Sequence, residues 1–298
     1  MINLKKVLIS LFTLGVVAVV AVMATQAFFS DSEKSVDNKF VAGAIDLQID
    51  NTSYAIDFNI PAYPSPTGAL VANIANTWTV RDLTVEKFFD FVDLKPGDYG
   101  EDTISIHVGS NDAWMCAAAK LTADDDVTCT DPEKVDDPAC DNPGVGLGEL
   151  DEGVNFAFWV DDGDNVYEPV LDNAGGVAES IFLSGPLSGL GAQGQITLAD
   201  SASSILGATK PVPGGTTFYI GKIWCFGNLT AGALVQDGDA TGTPLTKGTT
   251  GFVCDGTLVN DAAQTDKVVG DLEFYAEQSR HNSSFLCRNW KPSWTPKP

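Results

Sequence analysis

Hydrophobic and polar positions alternate along much of this chain. Ile45, Leu47 and Ile49 fall on one face of a short segment and Asp46, Gln48 and Asp50 on the other, the two-residue period of a half-buried strand. Ile104, Ile106 and Val108 against Thr103, Ser105 and His107 repeat the pattern, as do Phe156, Phe158 and Val160 against Asn155, Ala157 and Trp159. The segment 217–226 is the strongest candidate for a buried strand. Phe218, Ile220, Lys222 and Trp224 share one side of it, and Tyr219, Ile223 and Cys225 the other. Lys222 interrupts the first side, so the second side, or both, is expected to be covered. Residues 70–81, 85–92 and 272–278 read as further strands. Residues 196–206 read as a short helix stopped by Lys210-Pro211-Val212-Pro213.

Turn chemistry breaks these runs often. Pro61, Pro64 and Pro66 exclude regular structure around them, and Pro96-Gly97 fits the centre of a type II turn. Residues 227–256, rich in Gly, Thr and Asp, read as a long decorated surface loop. Many short strands between turns predict an all-β sandwich rather than a helix bundle.

The first residues follow another pattern. Lys5 and Lys6 precede an uncharged run from Val7 to Ala24, closed by Thr25-Gln26-Ala27. A positive start, an apolar stretch and a small-residue exit make a cleavable export signal over 1–27, with the cut between Ala27 and Phe28. The competing reading is a retained anchor, since the run is near the lower length limit for a spanning helix. Cleavage leaves membrane contact only before processing, a single domain over 28–289 and a Pro-rich, disordered tail over 290–298. It also places Phe28 and Phe29 at a new chain end, where two aromatic rings are costly to leave in water.

Charge narrows the partners. The chain carries 40 acidic against 17 basic residues, a formal charge of −23, and loses two of those bases with the signal. Such a chain does not suit nucleic acid, whose phosphates need basic surface; it suits divalent cations or a cationic partner. Residues 122–152 are especially acidic and read as a surface insertion, partly stapled by cysteines. Cys116, Cys129, Cys140, Cys225, Cys254 and Cys287 are six in an exported chain, which predicts up to three disulfides. Spacing does not choose the pairing; the favoured set is Cys129 with Cys140, Cys225 with Cys254, and Cys116 with Cys287.

The best ligand candidate is the loop Asp161-Asp162-Gly163-Asp164-Asn165-Val166-Tyr167-Glu168. Asp161, Asp162, Asp164, Asn165 and Glu168 can supply the oxygen ligands that Ca²⁺ prefers. The spacing is not that of an EF-hand, and a solvated turn explains the same residues. No cofactor is required on this reading. An enzyme is not expected, because His107 and His281 lie far apart, without an H-E-x-x-H pair or a serine elbow.

Several stretches resemble the start of the TasA/camelysin family of exported fibre proteins: Ala27-Phe28-Phe29-Ser30-Asp31, Asn38-Lys39-Phe40-Val41-Ala42-Gly43 and Ile45-Asp46-Leu47. The turn Leu94-Lys95-Pro96-Gly97-Asp98 and the last strand at 272–278 are similar to that family too. The resemblance implies a jelly-roll sandwich, export through a dedicated signal peptidase, and a secreted or cell-surface location in a fibrous matrix. It also raises a metallopeptidase label, which no metal-ligand motif supports here. Its assembly mode implies a head-to-tail homopolymer in which Phe28, Phe29, Ser30 and Asp31 lead a strand donated to the next copy. The rival expectation is a monomeric acidic module that binds calcium.

Overall fold

The computed structural model describes the backbone of residues 30–35 and, with side chains, residues 46–56, 70–171, 177–207, 210–280 and 282–295. The signal segment with Ala27 and Phe28, the aromatic Phe29, the motif residues 38–45, the prolines at 61–66 and His281 lie outside them. The strands in order are β1 (Ser30–Ser35), β2 (Leu47–Ile56), β3 (Leu70–Ala72), β4 (Trp78–Arg81), β5 (Tyr99–Val108), β6 (Ala113–Asp125) and β7 (Val154–Asp161). They continue with β8 (Ser180–Pro186), β9 (Gln195–Ala199), β10 (Thr217–Phe226), β11 (Asn228–Ala231), β12 (Phe252–Asp255) and β13 (Lys267–Gln278).

The chain is mostly β, and the pairings between these strands are antiparallel. One sheet runs β1-β13-β6-β9; a larger one runs β3-β2-β5-β10-β7-β8, with β4 also on β2; β11 and β12 form a small hairpin. Inward residues of the two larger sheets meet in one apolar cluster. Leu47, Ile49, Ile104, Ile106, Phe156, Phe158 and Ile220 come from the larger sheet, and Met115, Ala117, Leu198, Leu272 and Phe274 from the smaller. Burying such side chains stabilises the fold by roughly 1.5–3 kcal/mol each. This follows from the alternation in β2, β5, β7 and β10.

The outer face of the larger sheet is covered as well. Ala157, Trp159, Tyr167 and Ile223 form a second buried cluster, packed by Leu229 and Phe252 from the small hairpin. Residues 227–256 are therefore not a loose surface loop: they supply β11, β12 and the helical turn Pro244–Lys247 that cover this face. Phe252 stacks on Tyr167 with ring centroids 4.9 Å apart and lies 5.2 Å from Trp159. Trp159 in turn lies over Gly221 of β10, where a Cβ would stand 2.0 Å from the ring. Only glycine fits there.

Other expectations are corrected. Residues 85–92 form no strand, because the Glu86 carboxylate captures the amides of Thr84 and Val85 and so turns the chain. Within 196–206 the chain is β9 and then a turn, not a helix; pairing with β6 extends residues 195–199, and Asp200 accepts from the amides of Ala202 and Ser203 in an Asx turn. The acidic insertion begins as the end of β6, whose Asp124 and Asp125 pair with Val268 and Lys267. The tail packs as far as residue 295: Trp290 stacks on Tyr275 at 5.1 Å, and Ser293 donates to Glu273. The Pro96-Gly97 turn has the expected form, with Gly97 at φ 90° and the Asp98 amide donating to Lys95 O.

The cysteines pair as Cys116–Cys287, Cys129–Cys140 and Cys225–Cys254, the set favoured from the sequence. Cys116–Cys287 fastens the segment after β13 to β6, under Trp290.

Candidate cation centres

Two groups of acidic side chains are buried against one another. The first is built where β7 leaves the larger sheet. Asp161 ends that strand, and its Oδ2 accepts from the amides of Gly163 and Asn165, which curls the loop back over it. Gly163 at φ 122° and Asn165 at φ 63° take the left-handed backbone this curl needs. Asp164 Oδ1 then accepts from Val166 N–H. Glu179, just before β8, accepts from Asp162 N–H on one oxygen and Glu168 N–H on the other. One carboxylate oxygen from each of Asp161, Asp162, Asp164 and Glu179 lies within 4.8 Å of the others. Ligand oxygens across a single Ca²⁺ stand about 5 Å apart, so one ion can bridge them.

A solvated turn does not describe this loop. Asp164 and Asn165 are 1% and 2% exposed, and Val166 is fully buried. Among the described residues neither amide atom of Asn165 has a hydrogen-bond partner. Glu101 reaches the group from β5, beside Ile223 of β10 and Tyr54 of β2. It is fully buried, and neither of its carboxylate oxygens has a hydrogen-bond partner among the described residues.

The energetics of these charges are unfavourable without a counter-ion. Burial, followed by repulsion from Asp164, pushes Asp161 up to about 8. Burial and then Asp161 push Glu179 up to about 9. Glu101 is raised far above the usual carboxylate range by burial, with Asp161, Asp102, Asp164 and Glu179 adding to it. Near neutral pH these groups must therefore hold protons or share a cation. Lys247 serves only the flank: it bonds Asp164 at 3.0 Å, contacts Asp237, and stands 3.9 Å from Glu168. Glu168 thus belongs to the neighbouring lysine-filled group, which shares Asp164.

The second centre lies in the acidic insertion. One oxygen each of Asp126, Glu133 and Asp266 again falls within 4.8 Å of the others. Glu133 is fully buried; one of its oxygens accepts from Thr130 N–H and the other has no partner among the described residues. Asp266, just before β13, accepts the amides of Glu149 and Leu150 on one oxygen, and its second oxygen is buried without a partner among the described residues. Asp124, Asp125, Asp126 and Glu149 each turn a further such oxygen inward. Burial, with Asp137 and Asp266 next, lifts Glu149 to about 7; burial lifts Asp266 to about 6. The local base Lys134 pairs instead with Asp141 at 2.7 Å.

Of the residues expected from sequence, Asp161, Asp162, Asp164 and Asn165 come together here. Glu179, Glu101 and the whole second centre were missed. His107 sits on β5, bonded to Asp50 at 2.7 Å and to Thr217 at 3.0 Å, away from both centres. Among family models, curated proteins and solved structures, nothing matches this chain.

Proposed function

We propose that this chain is an exported structural module of the cell exterior, a jelly-roll β-sandwich whose two acidic centres are closed by calcium. The observation that carries the reading is Glu101: a fully buried carboxylate with no hydrogen-bond partner among the described residues, whose charge is opposed by Asp161, Asp102, Asp164 and Glu179. The donor sets are all oxygen, without histidine or thiolate, which selects a hard cation over zinc. Loop-borne carboxylates suit the flexible coordination of Ca²⁺ better than the strict octahedron of Mg²⁺. Three disulfides fit an oxidising exterior. Equilibrium dialysis against millimolar calcium, followed by elemental analysis, tests the reading. Two calcium ions per chain, retained in equal magnesium, are expected; calcium no higher than in a buffer blank refutes it.

A second reading is polymerisation by strand donation, in which β1, paired here within its own chain, is exchanged onto a neighbouring copy. This strand lies at the edge of the smaller sheet, with Ser30 opposite Glu277 and Ser35 opposite Leu272 of its own chain. Its register with β13 is antiparallel throughout, so the same pairing is available on a second copy. Exchange between copies turns a closed monomer into a head-to-tail polymer in the extracellular matrix. A variant lacking residues 28–35, viewed by negative-stain microscopy, is expected to form no fibres; fibres of ordinary length refute donation.

A further inference from the structure

The core of the larger sheet holds a lysine, an aspartate and an asparagine on three neighbouring strands. Lys222 of β10 stands directly opposite Asp102 of β5, and Asp102 directly opposite Ser53 of β2, two residues from Asn51. Alternation puts Asn51 on the same side as Ser53. All three polar side chains are completely buried. Lys222 Nζ lies 2.5 Å from Asp102 Oδ2, while Asn51 Nδ2 donates to Asp102 Oδ1 at 2.9 Å. One carboxylate thus holds an amine on one oxygen and a carboxamide nitrogen on the other.

The surroundings exclude water and fix the geometry. Lys222 Nζ also donates to Phe88 O at 2.8 Å and lies 3.6 Å from the centre of the Phe89 ring. Asn51 Nδ2 makes its other bond to Asn76 O at 2.6 Å, and its Oδ1 has no partner among the described residues. A salt bridge in such a core gives little net stability, because desolvation offsets the attraction. An apolar pair of the same volume would serve packing as well. Burial lowers the pKa of the lysine, against the opposing pull of Asp102, and loss of its proton leaves an amine that can act as a nucleophile. None of this chemistry is used by the cation centres.

We infer that Lys222 and Asn51 join in an intramolecular isopeptide bond, with Asp102 carrying the protons. Asp102 first takes a proton from the Lys222 ammonium. The amine's lone pair forms the new Nζ–Cγ bond to Asn51, and the Cγ–Nδ2 bond breaks. A second proton passes from Nζ through Asp102 to the departing nitrogen, which leaves as ammonia. The first proton stays on Asp102, now a neutral acid in an apolar core. No oxidant, reductant or cofactor enters, and the chain loses one ammonia. The product ties β2 to β10 across β5 by a bond that thiols cannot cleave. For a protein outside the cell, that is a lock independent of the disulfides.

Intact mass spectrometry of the folded full-length or processed protein, reduced and alkylated, tests this. N-terminal sequencing first fixes the expected mass. A mass about 17 Da below it is expected, together with a branched tryptic peptide joining Asn51 to Lys222. An unchanged mass overturns the inference. So does a 17 Da loss confined to an unbranched peptide, or an 18 Da loss with Lys222 joined to Asp102. Asp102→Asn, if it folds by circular dichroism, is expected to show no 17 Da deficit after reduction and alkylation; a branched peptide in that variant overturns the role of Asp102.

Discussion

The backbone N–H of Glu168 donates to Glu179 Oε2 at 2.8 Å, which ties the end of the acidic loop to the start of β8. Glu179 also holds the amide of Asp162, so a single carboxylate closes the loop from both ends while sitting among three aspartates. Glu179→Gln keeps one acceptor and removes the charge. The apo protein is expected to melt higher at pH 8, because the variant folds without having to take up a proton at this position. Calcium affinity of this centre is expected to fall at least about tenfold, roughly 1.4 kcal/mol. Calorimetric titration of the variant beside the wild type checks both statements.

Stability without calcium is expected to fall as pH rises. Asp161 and Glu179 hold their protons to about 8 and about 9 in the fold, against ordinary values of 3.8 and 4.5. The folded state therefore binds more protons than the unfolded one between those limits. Their stabilisation is complete below about pH 4 and is lost as pH climbs through 8 to 9. In a chelator the melting temperature should decline from pH 5 to pH 9; saturating calcium should flatten that slope. A chelated protein that melts higher at pH 9 than at pH 5 contradicts the assignment.

Gly221→Ala is expected to destabilise the fold by about 3 kcal/mol, the upper part of the range for overpacking. The new methyl would meet the Trp159 ring at 2.0 Å, and that ring is fully buried between β10 and Phe252. Urea unfolding followed by tryptophan fluorescence measures the loss. A change below 1 kcal/mol would show that Trp159 moves aside at little cost.

The disulfides should rank by the loops they close. Cys116–Cys287 spans 171 residues and Cys129–Cys140 spans 11. Chain-entropy arguments give about 5 and about 3 kcal/mol respectively. Replacing the first pair by serines should therefore lower stability more than replacing the second, as read from denaturant midpoints. The reverse order would contradict the loop-length account.

Much of the larger sheet could be read from the chain. Ile104 and Ile106, Phe156 and Phe158, and Phe218 and Ile220 do face the core as their alternation implies. Lys222 was visible as a break in that pattern, but its partner was not, since the register of β10 on β5 depends on contacts remote in sequence. Glu101 and Glu179 were invisible for a related reason. An acid beside Gly100 and Asp102, or between Ala178 and Ser180, looks like the wet side of a strand, and nothing local shows that the outer face of the larger sheet is covered by residues 227–256. That covering was missed because its strands are only four residues long and lie among Gly- and Thr-rich turns. The loop from Asp161 to Asn165 was legible because its carboxylates are adjacent in the chain itself.

The most direct test is a pair of thermal melts of the purified protein at pH 8, one in excess chelator and one in calcium at about a hundred times its dissociation constant. Each occupied centre should add about 2.7 kcal/mol at that ratio, which for a chain of this length is a rise of roughly 5 °C per centre. Identical melting temperatures in the two conditions, with no calcium retained after dialysis, would contradict the account.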